Sequence, residues 1–312
     1  MKAYFLSAFL AVGFIAFAQT TNTEARRFDL NGNPIPAGSS SESKIQADGR
    51  TIRTEYGLDT NGQKVPLSST EETKVDQNGH TVVQQVIRRF DQNGNLTSTE
   101  RVISDEQKLP SGSTQKQTTV YRSDLNGNEN LDERAVTLSE GKTSVTNVEK
   151  RALDGSLELA ERQTTTTEKN PNGSKSESST MRKDSNGNLY EVVKQIQETK
   201  KQGAQTIEND ATYVVRGDGS FALQEQKVIR STPQADGTVS KRIEVYGEQV
   251  PGTTNESGKA ALKEIQTVEA RKGADGTVVE TTISQKAEVT DNGRLTSPQV
   301  ISETVTAKKP NQ

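Results

Sequence analysis

Cysteine and tryptophan are absent from this 312-residue chain, and histidine occurs once, as His80. Without cysteine there is no disulfide, no thiolate nucleophile and no lipid attachment through a thiol. A single histidine leaves one position for a Ser-His-Asp arrangement, and His80 flanks the Asn78-Gly79 turn with no nucleophile elbow nearby. Aromatics make up 4% of residues and the formal charge is −3. There is thus no large basic field to hold nucleic acid and no tryptophan-lined sugar cleft. These absences argue against an enzyme and against a nucleic-acid partner.

Long apolar runs are missing too, except at the N-terminus. Ala3 to Ala18 is almost wholly apolar, follows Lys2, and closes on Ala16-Phe17-Ala18 before Gln19. That is the small-x-small pattern of a cleaved export signal, and the run falls short of the roughly 20 residues of a spanning helix. The sequence therefore reads as a signal peptide over 1–18, a linker over 19–25, a repeat array over 26–307 and a tail over 308–312. The expected location is secreted or periplasmic, with a mature chain that does not span a membrane. From Gln19 onward, Val, Ile, Leu and Phe total 54 of 294 residues, below the roughly 20% at which disorder becomes a serious alternative.

What the chain does have is turn chemistry. Asn-Gly occurs eight times and Asp-Gly five times, pairs that tolerate the positive φ a type I′ hairpin turn requires. The segments between are rich in Thr, Val, Ile, Ser, Lys and Glu, a mixture suited to strands. A longer period lies above the turns. Arg26-Arg27-Phe28-Asp29-Leu30-Asn31-Gly32-Asn33 recurs as Arg88-Arg89-Phe90-Asp91-Gln92-Asn93-Gly94-Asn95, with further copies around Asp124 and around Asp184-Ser185-Asn186-Gly187. Units start near residues 26, 56, 88, 121, 151, 181, 214, 246 and 286, roughly 31 apart. Phe28, Tyr56, Phe90, Tyr121 and Tyr246 fall at unit starts, where one large side chain would anchor each hairpin on its neighbour, the alternative being a stacking ladder for a sugar or peptide. The expected fold is all-β: tandem antiparallel hairpins forming an extended, thin, meandering sheet. Lys259 to Lys272 is the best helix candidate, although a longer strand pair would also fit.

Phe90-Asp91-Gln92-Asn93-Gly94-Asn95-Leu96-Thr97 resembles the aromatic-Asp-x-x-Gly-x-Leu-Thr core of the YD repeats of RHS and teneurin-type secreted proteins, and Lys183 to Leu189 is a weaker match. In that family such units build a β-sheet that coils into a shell. The resemblance implies a hairpin array and little about activity.

Several residues are candidates for chemistry. Asp124, Asn126, Asn128, Asn130 and Asp132 place oxygens at alternate positions, a spacing able to wrap Ca²⁺, although Gly127 is fourth where an EF-hand needs it sixth. The alternative is that the carboxylate caps its own turn. No other cofactor is implied. Arg216-Gly217-Asp218 overlaps a turn dipeptide, and glycosylation sequons begin at Asn95, Asn172 and Asn255. On these grounds the chain reads as a non-enzymatic spacer, scaffold or adhesive surface, with cell-surface glycans or other envelope proteins as partners. A module binding polysaccharide or Ca²⁺ through its turn loops is the second reading.

Overall fold

A computed structural model of the chain describes residues 20–28, 34–46, 48–58, 63–77, 79–124, 126–184, 186–247, 260–273, 275–288 and 294–309. Its strands are β1 (Thr20–Phe28), β2 (Pro34–Ile45), β3 (Thr51–Leu58), β4 (Lys64–Gln77), β5 (His80–Phe90), β6 (Leu96–Lys108), β7 (Thr114–Ser123), β8 (Glu129–Glu140) and β9 (Thr143–Arg151). They continue as β10 (Leu157–Asn170), β11 (Gly173–Lys183), β12 (Leu189–Gln202), β13 (Gln205–Val215), β14 (Phe221–Pro233), β15 (Val239–Gly247), β16 (Ala261–Lys272), β17 (Val278–Glu288), β18 (Arg294–Leu295) and β19 (Gln299–Lys309). The helix candidate is therefore a strand, β16. Glu264, Gln266 and Val268 alternate with Ile265 and Thr267 in a pleat paired on both sides.

Each strand pairs antiparallel with its successor, apart from the two-residue β18, which pairs only with β17 inside the β17–β19 link. The sheet then closes: β1 pairs with β19, Thr20 opposite Lys309 through Arg27 opposite Ser302. Eighteen strands circle a barrel. This corrects the expected thin open sheet. The all-β, antiparallel hairpin content is right, but the array has no free edges, because its two ends are each other's neighbours.

Closure has a local cause. Registers shift at Ala25/Arg27, Glu55/Tyr56, Arg89/Phe90, Val120/Tyr121, Leu159/Glu161, Thr180/Met181, Thr212/Tyr213, Val245/Tyr246 and Thr282/Ile283. These are nine bulges, one in every second strand pair around the wall. The intervening eight hairpins and the closing seam run without a shift. A bulge bends its strand and increases its twist, and repeated bulges are how a sheet is curled into a barrel. The bulges lie within four residues of the unit starts read from the sequence, except in β9–β10, where Leu159/Glu161 lies opposite Val148 and Glu149, just ahead of residue 151. The 31-residue unit is thus one plain hairpin plus one bend.

The turns also differ in detail from a type I′ expectation. In residues 91–95 the Gly94 amide donates to the Asp91 carbonyl at 3.0 Å and the Asp91 amide to the Asn95 carbonyl at 2.9 Å. Gly94 sits at φ +81°. That is a type I turn closed by one left-handed residue, and it recurs at 46–50, 109–113, 124–128, 152–156, 184–188, 216–220, 234–238 and 273–277. Tight two-residue connections occur at Gly141-Lys142, Pro171-Asn172 and Gly203-Ala204.

There is almost no core. The only buried apolar residues among those described are Ala211, Ala222, Ala261 and Ile265, and no large side chain is fully buried. The wall is held by backbone ladders and by cross-strand side-chain pairs, among them Thr165–Ser178 at 2.7 Å and Thr137–Thr146 at 2.8 Å.

Candidate functional site: the barrel lumen

Directly opposite residues share a face of the sheet and alternate residues change face. Following the registers around the closed wall sorts the side chains into two sets. One carries Phe28, Tyr56, Phe90, Tyr121, Tyr213 and Tyr246, all near the rim where odd-numbered strands end. On that face the Lys64 ammonium reaches the Glu24 carboxylate at 3.2 Å. Their strands, β4 and β1, are three intervals apart, about 14 Å across the sheet. Only side chains that converge on the concave side can close that span. The aromatic face therefore lines the lumen.

The lumen wall is polar, and many of its charges come in pairs. Arg134 meets Glu149 at 2.6 Å across β8–β9, and Lys194 meets Glu177 at 2.5 Å across β12–β11. Arg101 lies 4.4 Å over the Tyr121 ring and continues to Glu129, 3.0 Å from its Nε. Glu244 accepts from Arg230 at 2.8 Å, from Arg242 at 3.0 Å and from the Tyr246 hydroxyl at 3.1 Å. Eighteen strands about 4.8 Å apart give a wall roughly 27 Å across before tilt is counted. Barrels of this strand number leave an aqueous passage. Every described residue belongs to a wall strand or to a connection at a rim.

The outer face is polar as well. Asp210, Lys227 and Glu264 sit in mid-strand there, and Ser176, Ser178 and Thr180 form a hydroxyl row on β11. Its charges are paired too, Lys227 with Glu225 at 2.8 Å and Arg182 with Glu161 at 3.0 Å.

The residues singled out in the sequence fall at the rims. Asp124 Oδ1 accepts the amides of Asn126 (2.8 Å) and Asn128 (2.9 Å), and Oδ2 accepts the Asn128 side chain (3.2 Å). Asn130 donates to the Asn128 carbonyl, and Asp132 turns to the outer wall to pair with Arg122 at 3.1 Å. The carboxylate thus caps its own loop. Asp91 with Asn93, Gly94 and Asn95, and Asp184 with Asn186, Gly187 and Asn188, repeat that geometry. The turn amides hold all three aspartates below the usual carboxylate range: foremost the Asn95 side chain for Asp91, and the backbone amides of Asn128 and Asn188 for Asp124 and Asp184. No group of three or more His, Cys, Asp or Glu side chains converges among the described residues. His80 begins β5, with Nδ1 3.3 Å from Asp105. Arg216 and Asp218 share the β13–β14 turn, Asn95 ends the β5–β6 turn and Asn172 lies in the β10–β11 turn. Ala16, Ala18 and Gln19 of the export signal, the Asp29-Asn31-Gly32 turn and Asn255 lie outside the described residues.

The paired lumen charges are what sequence reasoning missed. One signal was available: Arg134 and Glu149 are equidistant from the Gly141-Lys142 turn, so a plain hairpin sets them opposite.

No protein-family description matches the chain, and no curated protein matches it. Solved structures do. OpdQ of Pseudomonas aeruginosa aligns over 94% of this chain and 96% of its own at 7% identity, with a TM-score of 0.48. A porin-like protein from Bacteroides uniformis aligns over 93% and 97% at 8% identity, with a TM-score of 0.28. OccK2 (OpdF) of Pseudomonas aeruginosa aligns over 96% of this chain and 98% of its own at 11% identity, with a TM-score of 0.53. The last likeness, over nearly all of both chains, replaces the YD-repeat resemblance: the turn motif that carried that resemblance is local, whereas the closed wall is global. The chain has the closed β-barrel fold of OccK2.

Proposed function

We propose that the protein is an outer-membrane channel that passes water-soluble solutes through its lumen, delivered by an export signal over residues 1–18. The observation that carries this reading is the closed eighteen-strand wall around a wide polar lumen. Membrane barrels of outer-membrane type close in this way because a free edge cannot be left in lipid. The spacer, scaffold and adhesive reading falls with the open sheet, since it rested on an extended array that the β1–β19 seam closes on itself. The glycan or Ca²⁺ module falls with it, as does the expectation of a chain that does not span a membrane. A channel performs no covalent chemistry, which is compatible with a single histidine and no cysteine.

The outer wall sets the severest condition on this reading. A Lys or Arg on a lipid-facing strand costs about 2–4 kcal/mol at the bilayer midplane. Among the described residues neither face has an unbroken apolar band. Pairing an outer cation with a carboxylate, as Lys227 is with Glu225, lowers that cost relative to an isolated charge. Swelling of vesicles loaded with a sugar tests the reading. The folded barrel, starting at Gln19 and refolded into lipid, is expected to let small sugars in faster than protein-free vesicles do. A folded barrel that remains wholly in the aqueous phase and leaves swelling unchanged refutes it.

A further inference from the structure

We infer that the lumen is electrically self-compensated, so that it admits small hydrophilic solutes by size and discriminates little between anions, cations and neutral molecules. This rests on the channel reading above. A pore selects by charge when its wall carries one sign, because the low-dielectric wall then focuses the field into the passage. Here most lumen-facing cations among the described residues lie against lumen-facing carboxylates. Arg134 and Glu149 are on adjacent strands, as are Lys194 and Glu177, and Arg230 and Arg242 share Glu244. Lys200 with Glu198 at 2.9 Å and Lys44 with Glu42 at 3.1 Å extend the pattern toward the other rim.

Each pair acts on a passing ion as a dipole about 3 Å long, whose field decays faster than that of a single charge. The passage axis lies roughly 14 Å from the backbone wall, and even beyond the side chains' reach that distance is comparable with the Debye length of about 8 Å at physiological salt. A solute near the axis therefore meets little net potential. Selectivity falls instead to the width left by the lumen side chains. The Arg162 guanidinium donates from Nε to the Asn147 side-chain oxygen at 2.9 Å, and Arg151 and Lys183 face the lumen without an ion pair among the described residues. Glu168 and Glu191 face it from the same wall, so these groups do not give the pore one sign.

The test is the reversal potential of the refolded chain in a planar bilayer under a tenfold KCl gradient. The inference expects an anion-to-cation permeability ratio within about twofold of one. Glu149→Gln, Glu177→Gln and Glu244→Gln together would leave Arg134, Lys194, Arg230 and Arg242 uncompensated, and should raise that ratio about threefold or more. Exchanging one pair, Glu177→Lys with Lys194→Glu, keeps compensation and should leave the ratio unchanged. Conductance with a strong preference in the unaltered chain, or a triple variant no different from it, overturns the inference and leaves the channel standing. Absence of any conductance from the folded barrel overturns both.

Discussion

At the scale of single residues, the turns hold the clearest chemistry. Asp91, Asp124 and Asp184 occupy the first position of their five-residue turns and accept two backbone amides each. Asp48, Asp154, Asp218, Asp236 and Asp275 occupy the third position and accept the amide of the fifth residue. At these eight turns the Asn-Gly and Asp-Gly signals are thus two solutions of one turn, differing in where the carboxylate sits. All eight carboxyls are held below their ordinary value, Asp91, Asp154, Asp218 and Asp236 foremost by a side-chain hydrogen bond within the turn and the other four foremost by a backbone amide. A depressed native pKa stabilises the fold above the unfolded value and is lost as pH falls through the native one. The urea midpoint should therefore drop below about pH 4, where unfolded aspartate titrates, and Asp91→Asn with Asp184→Asn should flatten that drop. Glycine is demanded most strictly at 173, where a Cβ would stand 1.8 Å from the Thr199 carbonyl oxygen. Gly173→Ala should cost about 1–3 kcal/mol in urea unfolding. Gly217→Ala, with nothing within 4 Å and no positive φ, should change the midpoint little.

At the scale of elements, hairpins were legible and their bending was not. The unit starts, of which Arg-Arg-Phe-Asp at 26 and 88 is the clearest, lie close to eight of the nine bulges, so the sequence carried the bend's position without its consequence. Curvature is the sum of nine small deviations, and no one of them distinguishes a ribbon from a barrel. The faces gave no help. In β10, Glu161, Gln163 and Thr165 point one way and Arg162, Thr164 and Thr166 the other, so neither set reads as the inside. The same lack of contrast let residues 259–272 pass for a helix. Because the bulges curl the sheet, removing them should open it. Gln224 is the unpaired residue between Leu223, opposite Tyr213, and Glu225, opposite Thr212; Ala160 plays that part between Leu159 and Glu161. Deleting both restores regular pairing at two bends. Formation of an Ala25→Cys/Thr304→Cys disulfide, placed on opposed seam positions, should then fall well below its yield with all bulges intact. An unchanged yield would show that the bulges do not govern closure.

For the whole molecule, the unusual property is a wall polar on both faces with very little apolar burial. Stability then depends on hydrogen-bonded ladders and on many paired charges. The outer face is where this matters most. Glu225→Gln together with Asp210→Asn would strip Lys227 of the carboxylates beside and opposite it. Folding into lipid vesicles should become less favourable by about 2 kcal/mol, while folding in a polar detergent changes less. The ratio of folded yields in the two media reports the difference. The central claim is that a closed barrel, and not an open array, surrounds a conducting passage. Single-channel recording from the Ala25→Cys/Thr304→Cys protein, oxidised so that the seam is covalently shut, tests it most directly. Stepwise conductance that survives oxidation and matches the reduced protein is the expected result, and a fully cross-linked, folded barrel that never conducts would contradict it.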